Sequence, residues 1–418
     1  MKHVFHVIAQ RVDPASTQAR VELAHGMRTI AFPALATNHV SSHNETHVPS
    51  TAGSNDDQEV CYLMRILITG ATGRVGANLV HRLAGSGAHV RAMVQPGDPN
   101  SSKLAEFRDV EITEADLLDQ DAINAACRDV THVVHLAAQL VRGTTPVDRF
   151  YDINAFGTLR LLEGVLNHGA SIQRFVLASS DGTYCPGAPP SVPLTEESKQ
   201  EPADYYGTGK LLGEVILRNH GVQFDLPWSI VRFATVVSPE EAPRMFRLGF
   251  WKAIFEWEKL GKDTHLWPLF KRHQGLLDLL AEQTRGLDDE VAVALVGPGD
   301  EPWSLSMVDV RDAVEGVYLS LTSPSAVGKA FNIAAAQPTS HIEGAREISD
   351  FFRVENKIVP MPFAHRIEMS ITAAQTDLQF APRHDFRSML RSSTGKTVSQ
   401  RDVFVPAEAR SGVASTWT

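Results

Sequence analysis

Cysteine is scarce in this chain. Cys61, Cys127 and Cys185 are three in 418 residues, widely spaced, with no CxxC pair. A disulfide-stapled fold is thereby excluded, and a reduced, cytoplasmic setting is the expectation. Uninterrupted apolar runs of about 20 residues are also missing, so no membrane-spanning helix is expected. Basic side chains do not predominate: 39 Lys and Arg stand against 49 Asp and Glu, a formal charge of −10. That balance argues against a nucleic-acid coat and leaves room for a local anion site. Two catalytic signatures are lacking too. Ser179-Ser180-Asp181 has no G-x-S-x-G turn, and the glycine segment at 70–76 does not end in the Gly-Lys-Ser/Thr of an ATPase loop.

What remains is a chain of 43% hydrophobic content, long enough for two or three domains or for one large α/β domain with a lobe. Residues 1–63 are expected to be an arm or linker. Met1–Gln10 fits a short strand, whereas His39–Glu59 is polar and rich in Ser, Asn, Thr and His. The histidines there, His3, His6, His25, His39, His43 and His47, have no spacing of a coordination set, so no metal site is expected. Met64 directly precedes a strong strand pattern and marks where the compact part begins.

Arg65-Ile66-Leu67-Ile68-Thr69 predicts a buried strand opening into Gly70-Ala71-Thr72-Gly73-Arg74-Val75-Gly76, with a helix through Asn78–Leu83 behind it. Gly70 permits the tight turn, Gly73 the approach of a pyrophosphate, and Gly76 close helix–strand packing. Backbone N–H groups at the helix start then face the anion. Strand candidates at 89–94, 131–136 and 172–177 alternate with helices, a rhythm that favours a parallel sheet covered on both faces. Asp116, ahead of a helix near 122–127, either approaches the adenine end of a cofactor or caps that helix. The second strand ends in Val94-Gln95-Pro96-Gly97. That tip offers neither the acid that suits NAD nor the arginine that suits NADP. Gln95 is a ribose candidate, and Arg91 or Lys103 is a phosphate candidate if the loop folds back.

Tyr206 and Lys210 stand four residues apart in Tyr206-Gly207-Thr208-Gly209-Lys210, one helical turn on one face. The glycines weaken that helix, and the apolar run from Leu211 anchors it. Half-ionising a tyrosine at neutral pH takes about 4 kcal/mol, at about 1.36 kcal/mol per pKa unit. Lys210 and an oxidised nicotinamide are expected to favour the phenolate. Ser180 would hold the substrate oxygen while Tyr206 takes its proton, and the reverse would reduce a carbonyl.

In their order these motifs resemble the extended short-chain dehydrogenase/reductase family, also described as the NAD-dependent epimerase/dehydratase family. The likeness runs from about Met64 to about Leu390. Besides the glycine turn and the Tyr206/Lys210 pair it includes Asp116-Leu117, His135-Leu136-Ala137-Ala138-Gln139, Asn154-Ala155-Phe156-Gly157-Thr158 and Ser179-Ser180. The resemblance implies a Rossmann-like, doubly wound parallel sheet with a smaller C-terminal substrate lobe, NAD or NADP, and often a homodimer. It implies a catalytic trio of Ser180, Tyr206 and Lys210 with Asn154 in support. Gly70, Thr72, Gly73, Arg74, Val75, Gly76, Gln95, Asp116, Leu117, Leu136, Ala137, Ala138 and Phe233, with Tyr206 and Lys210, would line the cofactor.

Two departures bear on the reaction. Gly182 follows Asp181 where the family's dehydratases have an Asp-Glu pair, which disfavours dehydration. Val231–Val237 replaces both the common Arg-Pro and the asparagine that many nucleotide-sugar epimerases use near the pyrophosphate. Alcohol/ketone oxidoreduction therefore leads, epimerisation through transient oxidation is second, and a catalytically silent cofactor-binding regulator is third.

The division expected is 64–237 mainly cofactor-binding, 238–390 mainly substrate lobe with returning sheet elements, and 391–418 an exposed tail. The helical candidate Phe250–Leu260 would serve as substrate lid, dimer surface or core. Arg244, Arg247, Lys252, Lys262, Lys271 and Arg272 either recognise an anionic substrate or form a solvated face. Asp309 is expected to cap a helix. The partner is a small molecule, carbohydrate-like or anionic, with neither nucleic acid nor membrane.

Overall fold

The computed structural model describes residues 64–184, 191–394 and 403–407, all within one compact unit, Ser54–Thr418. The expectations for the N-terminal arm, its histidines, Cys61 and Cys185 lie outside the described residues. Among the described residues, no helix is long and apolar enough to cross a membrane.

Strand β1 (Arg65–Thr69) is almost wholly buried and leads into helix α1 (Arg74–Leu83). Strands β2 (His89–Val94), β3 (Val110–Glu114), β4 (His132–His135), β5 (Arg174–Ser180) and β6 (Trp228–Phe233) follow. Helices α2 (Gln120–Ala126), α3 (Val147–Tyr151), α4 (Gly157–His168) and α5 (Tyr205–Phe224) are interleaved with them. After the short β7 (Thr235–Val237) and β8 (Ala292–Val296), strand β11 (Lys329–Ile333) returns to the first sheet. The order β11-β6-β5-β4-β1-β2-β3 is parallel throughout. Strand order reverses between β1 and β4, the switch point at which a doubly wound sheet opens a crevice.

The sequence explains why this sheet is central. Every residue of β5, Arg-Phe-Val-Leu-Ala-Ser-Ser, is buried, as a strand covered on both faces must be. Each such Val, Leu or Phe contributes about 1.5–3 kcal/mol of burial free energy. Two apolar clusters flank the sheet, one holding Ile66, Ile68 and Val176, the other Leu67, Val133 and Leu177. The alternation of residues along β1 and β5 assigns side chains to opposite layers.

Chain beyond β6 builds the remaining parts. Helix α6 (Leu248–Glu256) continues into a 3-10 turn, Trp257–Asp263, and the two together cover the expected helical span Phe250–Leu260 and pass it at both ends. The strand β8 pairs in parallel with β13 (Asn356–Pro360), the short β7 in parallel with β10 (Met307–Asp309), and the two-residue β9 (Ser304–Leu305) antiparallel with β12 (Thr339–Ser340). Asp309 accepts from the Arg311 N–H, capping the helix that starts at Val310. The exposed-tail expectation fails for 404–407: Val405 is 8% exposed and exchanges two backbone hydrogen bonds with the Asn78 side chain on α1.

Candidate active site

A cavity of about 820 Å³ opens at the C-terminal ends of the sheet strands. Its wall includes Thr72, Gly73 and Arg74 from the glycine turn, Ser179–Gly182 from the end of β5, Asp204 and Tyr206 from the start of α5, and Phe233. Segments more than a hundred residues apart thus meet in one space.

The glycine turn is shaped by contacts that only glycine allows. Gly70 has φ +64°, and a Cβ there would lie 2.8 Å from the Ala137 backbone nitrogen. A Cβ on Gly76 would lie 2.1 Å from the Gly70 carbonyl oxygen, so α1 rides directly on the turn. No side chain caps the first turn of α1, and no acidic residue stands in it. Its N–H groups and the positive end of its dipole therefore face the cavity mouth, where an anion is favoured. These features fit a dinucleotide pyrophosphate.

Around the turn, Thr72 donates its hydroxyl proton to the Asp98 carboxylate at 2.5 Å, and Lys103 Nζ donates to the Thr72 carbonyl at 3.0 Å. Arg74 pairs with Glu241 at 2.5 Å. The alternative raised for Arg91 is overturned. Its guanidinium bonds Glu111 and the carbonyls of Ala126 and Arg128, where strand β2 begins, away from the cavity. Asp116 does not cap α2; Asp119 does, accepting from the Asp121 and Ala122 N–H groups. Asp116 accepts instead from the Leu118 N–H.

Of the other candidates, Leu136 and Ala137 abut Gly70, while Leu117 is buried against Gly157. Gln95 and Ala138 are exposed. None of these, nor Asn154, Val75 or Lys210, forms the cavity wall itself. Asn154 sits in a π-helical turn, Asp152–Phe156, and exchanges hydrogen bonds with the Gln139 backbone at 2.8 Å in each direction. It fixes the segment after β4 to α5's neighbour.

Helix α5 has its reactive face locked by glycines. A Cβ on Gly207 would lie 2.1 Å from the Gly182 carbonyl oxygen, and one on Gly209 would lie 2.9 Å from Asn154 Cβ. Low helical propensity is accepted there because only hydrogen lets the helix press against both turns. Asp204 offsets it by capping, accepting from the Gly207 N–H at 2.8 Å.

The proton chemistry differs from expectation. Tyr206 is half-buried, and its pKa is raised, first by burial and then by the Asp181 carboxylate, with Ser180 hydrogen bonding opposing them. Asp181 is itself pushed up to about 6 by burial, which outweighs its hydrogen bonds from Ser180 and Gly182. Lys210 is buried and donates to the Ala178 carbonyl at 2.8 Å. Burial lowers it to about 8, against the pull of Glu214. Burial and the Asp181 charge thus hold Tyr206 as a neutral phenol, a proton donor, rather than easing its ionisation.

Sequence reasoning missed four contributors. Asp98 lies just past the strand tip Val94–Gly97. Glu214 stands one turn beyond Lys210, continuing the Tyr206, Lys210 series at fourfold spacing. Trp303 and His341 reach the cavity from distant segments and carry no local signal. The six basic residues from Arg244 to Arg272 do not line the cavity; Arg247 is held by Glu290 and Lys252 by Asp289. Among the described residues, no cluster of His, Cys, Asp or Glu is placed to hold a metal ion.

The fold and these motifs have known counterparts. A UDP-glucose 4-epimerase of Mycolicibacterium smegmatis is 34% identical over 186 residues, 43% of this chain and 58% of that protein. One from Bacillus subtilis is 26% identical over 338 residues, 77% of this chain and 91% of that protein. The first several curated relatives are matched over only 46% to 58% of their own length. A solved short-chain dehydrogenase/reductase superfamily protein from Agrobacterium tumefaciens, with bound NAD, superposes with a TM-score of 0.67 at 25% identity. The superposition covers 79% of this chain and 96% of that one. The model of the NAD dependent epimerase/dehydratase family matches residues 66–334, well over half of the sequence. The chain belongs to the NAD-dependent epimerase/dehydratase family.

Proposed function

We propose that this protein is an NAD-dependent oxidoreductase that interconverts a secondary alcohol and a ketone, with Tyr206 as the group that moves the proton. One observation carries the reading: a single cavity is walled by the uncapped start of α1, by Ser180 and by Tyr206. The start of α1, with Thr72, Gly73 and Arg74, would hold the pyrophosphate. Lys210, on the same helix face as Tyr206, would reach toward the ribose. Asp98 beside the turn supports NAD over NADP, since a carboxylate suits ribose hydroxyls and repels an added phosphate. Nicotinamide, when bound, supplies the acceptor or donor of the hydride.

The protein's own residues supply the rest. Ser180, hydrogen-bonded to Asp181 at 2.9 Å, orients the substrate oxygen. Tyr206 gives its proton to that oxygen in reduction and withdraws it in oxidation. Neither step needs a second carboxyl group, and Gly182 supplies none, so dehydration has no support. Residues 64–237 serve mainly the cofactor and 238–390 mainly the substrate, a division supported by the cavity's two-sided lining.

The test is a substrate screen read by nicotinamide absorbance. Tyr206→Phe is expected to depress turnover far more than NAD affinity; full turnover in that variant would remove Tyr206 from the role. Epimerisation is the second reading, favoured by the named relatives, UDP-glucose 4-epimerases among them. It predicts product isomerisation without stoichiometric external cofactor and retention of the transferred hydrogen.

A further inference from the structure

We infer that the half of the cavity remote from the glycine turn takes an uncharged, aromatic or alicyclic portion of the substrate, and not a nucleoside diphosphate. This rests on the oxidoreductase reading of the same cavity and names its substrate class. The wall there is formed by Phe250, Trp251, Ile254, Trp257, Leu266 and Trp303. Trp251 lies against His341 with centroids 4.7 Å apart at 32°, and edge-on to Trp303 at 6.3 Å and 85°. Rings arranged in this way present faces and edges to a further ring, and they bury large apolar area.

The electrostatics agree. Arg74 and Lys103, the lysine and arginine of the lining, both stand at the glycine-turn end. Arg74 is paired there with Glu241. Two of the three imidazoles in the lining are neutral at pH 7: burial lowers His265 to about 4 and holds His341 well below its ordinary value, while His365 is the third. Among the described residues the wall there therefore has no lysine or arginine to meet a diphosphate, and burying unpaired anionic charge is costly. The basic residues that sequence reasoning had offered for this purpose lie elsewhere.

Polar groups are present but neutral. Nδ1 of His265, Nδ1 of His341 and Nε1 of Trp251 are buried without a hydrogen-bond partner among the described residues. Such unmet groups, set in an aromatic wall, suit a ligand that carries a ring and an uncharged oxygen.

The experiment is a calorimetric titration of the full chain, saturated with NAD, with 1-(2-naphthyl)ethanol and with UDP-glucose, while nicotinamide absorbance is followed in parallel. The naphthyl alcohol is expected to bind at least roughly tenfold more tightly, and Trp257→Ala to weaken it by about tenfold with NAD affinity unchanged. Ile254→Lys, which puts a cation into the same wall, is expected to weaken the alcohol and strengthen UDP-glucose. UDP-glucose binding as tightly as the alcohol, absence of saturable alcohol binding, or indifference of the alcohol to both substitutions overturns the inference. Saturable alcohol binding without any absorbance change at any pH counts against the oxidoreductase reading and leaves the ligand class of the wall standing.

Discussion

Glu214, one turn beyond Lys210 on α5, holds Arg232 of β6 by two hydrogen bonds, to Nε at 3.0 Å and Nη2 at 2.8 Å. The two are 0% and 1% exposed. The same carboxylate accepts from the Ser179 hydroxyl at 2.5 Å, and Arg232 donates to the Tyr184 phenol at 2.8 Å. The residue before Ser180 and the residue before Phe233 are thereby tied to the helix that carries Tyr206. Removing Arg232 leaves the buried Glu214 with the half-exposed Arg218 guanidinium, at 3.0 Å, as its remaining charged partner, a loss of up to about 3–5 kcal/mol. Arg232→Met is expected to lower unfolding stability by that amount, and Glu214→Gln together with Arg232→Met to recover much of it. Urea denaturation of the three proteins measures this; a loss under about 1 kcal/mol in the single variant would show the pair to be dispensable.

The same pair predicts a pH dependence. Burial pushes the Glu214 carboxyl up, but Arg232 and the Ser179 hydroxyl outweigh it, and the net direction is down. A folded pKa below the unfolded one adds stability above the unfolded value, about 4.3, and that stability is lost as pH falls through the folded value. Acid unfolding of Arg232→Met should therefore begin at a higher pH than in the parent, followed by circular dichroism. Superimposable acid transitions would contradict the assignment.

Asp181 sets the second pH effect. Above about pH 6 it is negative, and its charge joins burial in raising the Tyr206 phenol. Oxidation needs the phenolate, so its rate should climb with pH; reduction needs the phenol and should fall at high pH. Asp181→Asn removes one cause of the high pKa, so the oxidation limb of the kcat/KM profile should move to lower pH. Tyr206→Phe should cost about 10²–10⁴-fold in turnover. An oxidation profile unmoved by Asp181→Asn would disconnect the two residues.

Gly207 is where local propensity and tertiary packing oppose each other. Alanine there would favour the helix by up to about 1 kcal/mol, yet its Cβ would fall 2.1 Å from a backbone oxygen that cannot swing aside. Gly207→Ala is expected to destabilise by about 1–3 kcal/mol and to displace Tyr206 from Ser180. A displacement of about 1 Å can cost about a hundredfold in rate. The expected signature is a fall in kcat larger than any change in NAD affinity. Unchanged kcat with unchanged stability would mean that the helix can shift without consequence.

The parallel sheet was legible because its signals are local: a buried apolar run, a glycine turn and a helix repeat several times along the chain. The glycine turn and the Tyr206–Lys210 spacing were legible for the same reason. What escaped depends on contacts between distant segments. Asp119, rather than Asp116, caps α2 because the chain makes one more turn after β3. The basic residues at 244–272 have the right charge for an anion, but Glu290 and Asp289 hold two of them outside the cavity. No periodicity in the sequence reveals that Trp251, Trp303 and His341 share one wall.

The segment 403–407 reaches the cofactor end of the cavity through Asn78. Asn78 Nδ2 donates to the Arg74 and Val405 carbonyls at 2.9 and 2.8 Å, and its Oδ1 accepts from the Val405 N–H at 2.7 Å. Ala407, two residues on, lines the cavity, accepts from Lys103 and donates to Glu240 at 2.6 Å. Asn78→Ala leaves both buried Val405 backbone groups unpaired, at about 1–3 kcal/mol for each. The segment should then release, and on the proposed function NAD should dissociate faster, as read by stopped-flow displacement. Ending the chain after Arg401 should have the same effect. Because the truncation already removes the Val405 groups that Asn78 holds, Asn78→Ala in the shortened chain should add little further. Additive effects in that cycle would show that Asn78 acts on the cofactor by another route, through the Arg74 carbonyl at the start of α1.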